Sequence, residues 1–382
     1  MNLAELSASE DLRRAEFPVA REKIFLAHAG VCPLPKRVAE ALTRCAANGS
    51  TDDQERFLAQ LLLDTLELAA QMIGAHADEI AFVGPTSLAL SYVAAGIEFR
   101  RGDNVIIYFD DYPSNVYPWM ALADRGVEVR FIKARELGRI RPADVLGLVD
   151  EQTRLVALAS CHFLSGWRIE IDEIGKALRR RGVLFCLDAI QTLGAFPTPV
   201  THVDFLAADA HKWLLGPCAA GILYVRKSLQ EKLKPTVYGW HNVRCPNFVA
   251  QEEIVFKIDA KRYEAGTHNI LGIAGLKAAL ELLQEIGSEA IAAELLRKRA
   301  RLVPALLAKG YTVLQANAPQ ANASGIVAFF KPGTDMAALC QKLADQNIVA
   351  SLRADRAGQQ YLRFSPHFYN TDAELDRALE ML

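Results

Sequence analysis

Four residues in the middle of the chain are of types that do chemistry together. Asp188 and Gln191 stand in DAIQ, and about twenty residues on His211 and Lys212 stand in ADAHKWLLGP. Lys212 follows an apolar run, VDFLAA, and is closed off by Trp213 and Gly216-Pro217. A lysine at such a strand end needs a partner. Burial lowers the pKa of its amine, and a neutral amine is both a nucleophile and a base.

The elements that must position these residues are read from the pattern between about 80 and 225. Short Val-, Ile- and Leu-rich runs (EIAFV, NVIIY, VRFIK, LVALAS, VLFCL, VDFLAA, GILYV) alternate with stretches of helical periodicity. Runs of this kind predict an α/β fold with a mostly parallel sheet covered on both faces. In such sheets ligands sit at the carboxyl ends of the strands. Other strand ends carry polar residues too: Thr86 and Ser87 opening a helix, Tyr112 after NVIIYFDD, and His162 after LVALAS. A lysine amine, a carboxylate, paired hydroxyls at a helix N-terminus and an aromatic ring together match the needs of pyridoxal 5'-phosphate (PLP). The lysine forms a Schiff base with the aldehyde, Asp188 holds the pyridine nitrogen, the helix N-terminus takes the phosphate and the aromatic residue stacks on the ring.

After about residue 246 the texture changes. A long helical stretch (ILGIAGLKAALELLQEIG, then SEAIAAELLRKRARLVPALLAKG) leads into short strands and two more helices. The division expected is an N-terminal arm over 1–22, a large cofactor-binding α/β domain over 23–245 and a small C-terminal α+β domain over 246–382, with HNVRCPNF (241–248) as the linker.

Composition narrows the classes. The chain has 382 residues, half of them hydrophobic, and a formal net charge of -2. No basic excess is present to neutralise phosphates, which argues against nucleic acid as a partner. No apolar run reaches membrane length and MNLAELSASEDLRRAEF lacks a signal-peptide core, so a cytoplasmic protein is expected. The seven cysteines have no metal-site spacing, so reduced thiols and no metal are expected. GxGxxG, GxxxxGK[ST], HExxH and GxSxG are absent.

The stretch DAIQTLGAFPTPVTHVDFLAADAHKWLLGPCAAGILYV resembles the core of the class V aminotransferase family, which includes cysteine desulfurases, cystine C–S lyases, kynureninases and isopenicillin N epimerase-like enzymes. The resemblance runs from FLAHAGVCPLP to YLRFSPHFYNTDAEL. It implies PLP as cofactor and the aspartate aminotransferase-like fold (fold type I). It also implies roles. Lys212 is the Schiff-base lysine and Asp188 the partner of the pyridine nitrogen. Gln191 meets the phenolic oxygen of the cofactor, with His162 a second candidate for an oxygen contact. His211, Thr86 and Ser87 meet the phosphate, and Tyr112 stacks where desulfurases carry a histidine. Gly266 and Thr267, in YEAGTHN, reach the phosphate of a neighbouring subunit, which implies a homodimer. Arg363 clamps the carboxylate of a small amino-acid substrate, assisted by Arg353, and His28 lines the substrate mouth.

Two departures from the family pattern matter. Asp209 stands where desulfurases have a phosphate-binding serine, so it is expected to point away or to bind something else. Desulfurases also carry a cysteine between two arginines of the small domain, and here that interval, RADRAGQQYLR (353–363), is short and has none. Cys340 reads as a core residue. The expected activity is therefore that of an aminotransferase or a C–S (β-elimination) lyase. Desulfurase-like or epimerase chemistry, or a PLP-binding module without catalysis, stay as alternatives.

Overall fold

The computed structural model describes all 382 residues. A short strand, β1 (Ile24–Phe25), comes first and pairs away from the main sheet. The seven apolar runs then form β2 (Ile80–Val83), β3 (Asn104–Ile107), β4 (Glu128–Phe131), β5 (Thr153–Ala159), β6 (Leu184–Asp188), β7 (Phe205–Ala208) and β8 (Gly221–Val225). They make one sheet in the order β2-β8-β7-β6-β5-β3-β4. Only β8 runs against its neighbours, so the carboxyl ends of the other six share one edge.

The near-continuous apolar character of these strands has a direct cause, since both faces are covered. Alternate residues point to opposite sides. Val105, Ile107, Leu155, Ala157, Phe205 and Leu223 pack with Leu90, Val93 and Trp119 on one face. Ile106, Val156, Leu158, Phe185, Leu187 and Leu206 pack with Leu66, Ile73, Ile174, Leu178 and Leu280 on the other. The strand at one end of the sheet, β4, has only one strand neighbour and is the least buried, with Glu128 and Phe131 exposed. Helices Lys36–Gly49 and Leu58–Ile73, which no motif marks, pack against helix Ile270–Ile286.

The C-terminal strands are β9 (Thr312–Val313), β10 (Val327–Phe330), β11 (Ile348–Val349), β12 (Ser351–Ala354) and β13 (Gln360–Phe364). Four of them form an antiparallel sheet in the order β12-β13-β10-β9. Helices Ser288–Ala308, Met336–Asp345 and Asp372–Glu380 close a separate core over it, with Leu302, Phe329, Leu343, Leu362, Phe364 and Leu375 inside. The N-terminal segment joins this unit: β1 pairs with β11 and Leu26 lies in its core. The following residues cross to the large sheet, where the Cys32 N–H donates to the carbonyl of His211 at 2.8 Å. No helix is long and apolar enough to cross a membrane.

Candidate active site

Lys212 lies just beyond β7 and is 7% exposed. The turn that carries it is held in sparsely populated backbone conformations, with Leu215 and Ala219 both at φ 58°. Asp209 holds this turn together. One of its oxygens accepts from Ala210 N (2.7 Å) and Ala220 N (3.0 Å), and the other from Ala219 N (3.1 Å) and His211 Nδ1 (2.8 Å). The carboxylate therefore binds backbone and histidine inside its own loop, and its own N–H donates to Thr86 Oγ1 at 3.0 Å. Gly194 (φ 89°) fits beneath the turn, where a Cβ would come within 2.4 Å of the Trp213 carbonyl oxygen.

Asp188 ends β6, next to β7, and is buried. One oxygen accepts from Ile190 N at 3.1 Å. Burial, reinforced by the charge of Asp111, pushes its pKa up to about 7. Asp111 lies beyond β3. It accepts from Tyr112 N (2.7 Å), Asn115 Nδ2 (3.1 Å) and Ala159 N (3.3 Å), and burial raises its pKa to about 6. Burial lowers the Lys212 amine to about 8. Asp188 and Asp209 oppose that shift, while Arg363 and Arg353 add to it.

The remaining candidates fall into three groups. The first surrounds the lysine. The Tyr112 ring centroid is 5.2 Å from Lys212 Nζ, and its edge meets Phe163. Gln191 accepts from Trp213 Nε1 (2.9 Å) and donates to the Ala29 carbonyl (3.2 Å), which leaves one of its two amide hydrogens free. Thr86 and Ser87 begin the helix Thr86–Gly96, where no side chain caps the first N–H groups. Arg363, on β13, is 1% exposed and donates to the Phe163 carbonyl and to Ser351 Oγ, while its Nε has no partner. Burial lowers its pKa to about 9. Arg353 stands on the adjacent strand β12, opposite Tyr361, and both guanidinium groups reach the neighbourhood of Gly30.

The second group is built into the scaffold. The His162 Nε2–H donates to the Asp110 carbonyl (2.9 Å) and its Nδ1 accepts from Ser165 N (3.0 Å), so both ring nitrogens are engaged. His28 is fully buried between the Ser365 carbonyl (3.0 Å) and Tyr369 Oη (2.8 Å), and packs on His367 rather than facing an open mouth. The third group, Gly266 and Thr267, lines a separate cavity of about 310 Å³ beside Gly84 and Ala219.

Arg356 and Asp111 lacked a motif. Arg356 lies in the short interval between Arg353 and Arg363 and reaches Asp110 across the domains. Asp111 is legible only as the second acid of a strand-end Asp-Asp pair.

A buried amine, a buried acid of raised pKa and uncapped helix N–H groups at the carboxyl edge of one sheet, with an unpartnered arginine nitrogen brought in from the second sheet, form the arrangement of the PLP-binding α/β enzymes of fold type I. The chain belongs to the aminotransferase class-V family, whose model matches residues 24–378, and it is a PLP-dependent enzyme of that family. It is 34% identical over 287 residues to a probable cysteine desulfurase of Methanothermobacter thermautotrophicus, covering 73% of this chain and 71% of the relative. The apo structure of a cysteine desulfurase from Thermococcus onnurineus superposes with a TM-score of 0.89 at 25% identity, covering 97% and 96% of the two chains. A lysine-to-alanine variant of the enzyme C-DES, carrying glycine covalently linked to its PLP cofactor, superposes with a TM-score of 0.87 at 24% identity and covers 96% and 98%. C-DES, solved also with cysteine persulfide, is a cystine C–S lyase.

Proposed function

We propose that this chain acts on a small α-amino acid at Lys212, as an aminotransferase or a C–S (β-elimination) lyase. The observation that carries this is the environment of Lys212: a buried amine with lowered pKa between an acid, Asp188, and a substrate-side guanidinium, Arg363.

The residues fit the cofactor. Lys212 would hold its aldehyde carbon, Asp188 its pyridine nitrogen, Gln191 its phenolic oxygen, Tyr112 its ring face, and the Thr86, Ser87 and His211 groups its phosphate. When bound, PLP supplies an electrophilic carbon and a sink for the electron pair left when a bond at the α-carbon breaks. The chain does the rest. Arg363, with Arg353 beside it, fixes the substrate carboxylate through parallel N–H donors. Lys212, its pKa lowered to about 8 by burial, takes the α-proton and can return it at another atom. Asp188 stays buried, where its charge is worth most to a protonated partner.

The small domain favours elimination or transamination over sulfur relay. The interval between the arginines carries no thiol and is tied down by Arg356. Cys32 and Cys161 are buried with pKa values raised to about 12 and 11, and Cys340 packs against the small-domain core. A thiol held protonated is a poor acceptor of sulfur. Gly266 and Thr267 sit at an open cavity, in keeping with a homodimer in which they serve the phosphate of the other subunit. Seven free cysteines suit a reducing, cytoplasmic setting.

The test is to mix the purified yellow protein with single amino acids, cysteine and cystine included, without keto acid. Stoichiometric pyridoxamine phosphate identifies a transaminase. Catalytic pyruvate, ammonia and a sulfur product identify a lyase. Alanine with bound sulfur identifies a desulfurase, and inversion of the α-carbon alone an epimerase. A spectral change without turnover of any amino acid overturns the enzymatic reading in favour of a binding module.

A further inference from the structure

Away from Lys212, three side chains converge with no reaction to serve. Glu264 and His268 flank the Gly266-Thr267 turn, and His241 approaches from the preceding loop. The Glu264 Oε2 atom lies 2.9 Å from His268 Nε2 and 3.7 Å from His241 Nδ1, and one ligand atom from each residue falls within 4.8 Å of the other two. All three side chains are at most 15% exposed. The second Glu264 oxygen accepts from Phe82 N at 2.6 Å, which fixes the carboxylate and aims Oε2 at the histidines. No lysine or arginine makes a direct ion pair with this buried acid, although the charge of Lys257 acts on it and on His241.

We propose that His241, Glu264 and His268 form a site for a divalent transition ion of the zinc type. Two imidazoles and one carboxylate are a zinc ligand set that leaves a fourth position open. Donors about 2.1 Å from a tetrahedral ion stand roughly 3.4 Å apart, and the 2.9 and 3.7 Å separations bracket that value. In the ion-free arrangement the His241 Nδ1–H donates to the Glu264 carbonyl at 3.1 Å. Binding moves that proton to the other ring nitrogen. The Phe82 N–H is the supporting contact that orients a ligand carboxylate. Glu264 and His268 also line the cavity that holds Gly84, Gly266 and Thr267, so an ion bound by them would pin the 263–269 turn. The proposal rests on these three side chains and not on the reaction at Lys212.

The experiment is a titration of untagged, PLP-loaded protein with cobalt(II), followed by equilibrium dialysis against zinc. Expected are visible d–d bands of a tetrahedral cobalt site, one zinc per chain, and at least tenfold weaker binding in His268→Gln and in His241→Gln. Zinc should also protect these two histidines of the wild-type chain from acylation by diethyl pyrocarbonate, a readout that does not depend on how the variants fold. Absence of the bands together with substoichiometric zinc overturns the proposal. So does undiminished binding in the double variant, which would assign the metal to the cofactor or the thiols.

Discussion

The Arg356 guanidinium lies 3.8 Å above the Phe109 ring and donates to the Asp110 carboxylate at 2.5 Å and to the Phe109 carbonyl at 3.0 Å. The two residues belong to different sheets: Arg356 follows β12 in the small domain, and Asp110 follows β3 beside Tyr112. The interval between Arg353 and Arg363 is thus a strap tying the small domain to the strand end that carries Tyr112. Because the pair is exposed, it contributes only about 0–1 kcal/mol to stability, with a similar increment from stacking. Arg356→Ala should leave thermal unfolding within about 2 °C of wild type and raise KM about three- to tenfold as the strap loosens. An unchanged KM would show that the strap does not bear on substrate.

Lys212→Ala should abolish turnover with every amino acid while the fold persists. Borohydride reduction of the wild-type protein should leave the cofactor on a Lys212 peptide in a mass-spectrometric map. A label on another lysine would move the site.

Arg363→Ala should raise KM about 10- to 100-fold, the worth of a charge-assisted hydrogen-bond pair at roughly 1.5–3 kcal/mol. Arg363→Lys should not restore it, because an ammonium cannot keep the Phe163 and Ser351 contacts and present two parallel donors at once. Steady-state kinetics of both variants check this.

The pH dependence follows from the two shifted groups. With the Lys212 pKa lowered to about 8, the neutral amine grows as pH rises through 8. Capture of PLP by cofactor-free protein should accelerate up to that pH and then level. Asp188 opposes the lowering, so Asp188→Asn should move the midpoint below 8. The Asp188 pKa is raised to about 7, so its stabilising contribution is present at low pH and is lost as pH rises from about 4 to 7. In that window the thermal midpoint of the cofactor-free Asp188→Asn variant should fall less steeply than that of wild type. Stopped-flow absorbance and thermal unfolding measure the two effects.

Asp209→Ala should cost on the order of 3 kcal/mol, because it strands backbone N–H groups of Ala210, Ala219 and Ala220 around a turn already in strained conformations. Asp209→Asn, which keeps one acceptor oxygen, should cost less. Denaturant midpoints of the cofactor-free proteins separate the two.

Mixing inactive Lys212→Ala with inactive Thr267→Asp subunits should restore about a quarter of the wild-type activity if Thr267 serves the other subunit. The mixed dimer then contains one site with both residues intact. No recovery, with exchange verified by mass, would place Thr267 beside its own lysine.

The sequence by itself determined the strands of the main sheet, because strands buried on both faces, as all but β4 are, must be apolar almost throughout, and it determined which polar residues end them. Asp188, Gln191, His211 and Lys212 were legible for that reason: adjacent parallel strands bring their ends together wherever the intervening chain goes. The short interval without cysteine was legible too. Tertiary packing decided the rest. β1 is only two residues long and its partner β11 lies more than three hundred residues away, so no local pattern could announce the pairing. His28 and His162 look like site residues in sequence because an isolated histidine does not reveal its partners, and in the fold both ring nitrogens of each are engaged within the scaffold. Asp209, puzzling next to an expected phosphate site, is explained once the 218–220 turn folds back over it. Arg356 and the His241–Glu264–His268 cluster depend on contacts between segments distant in the chain or on opposite sides of a turn, and only the folded backbone sets those distances.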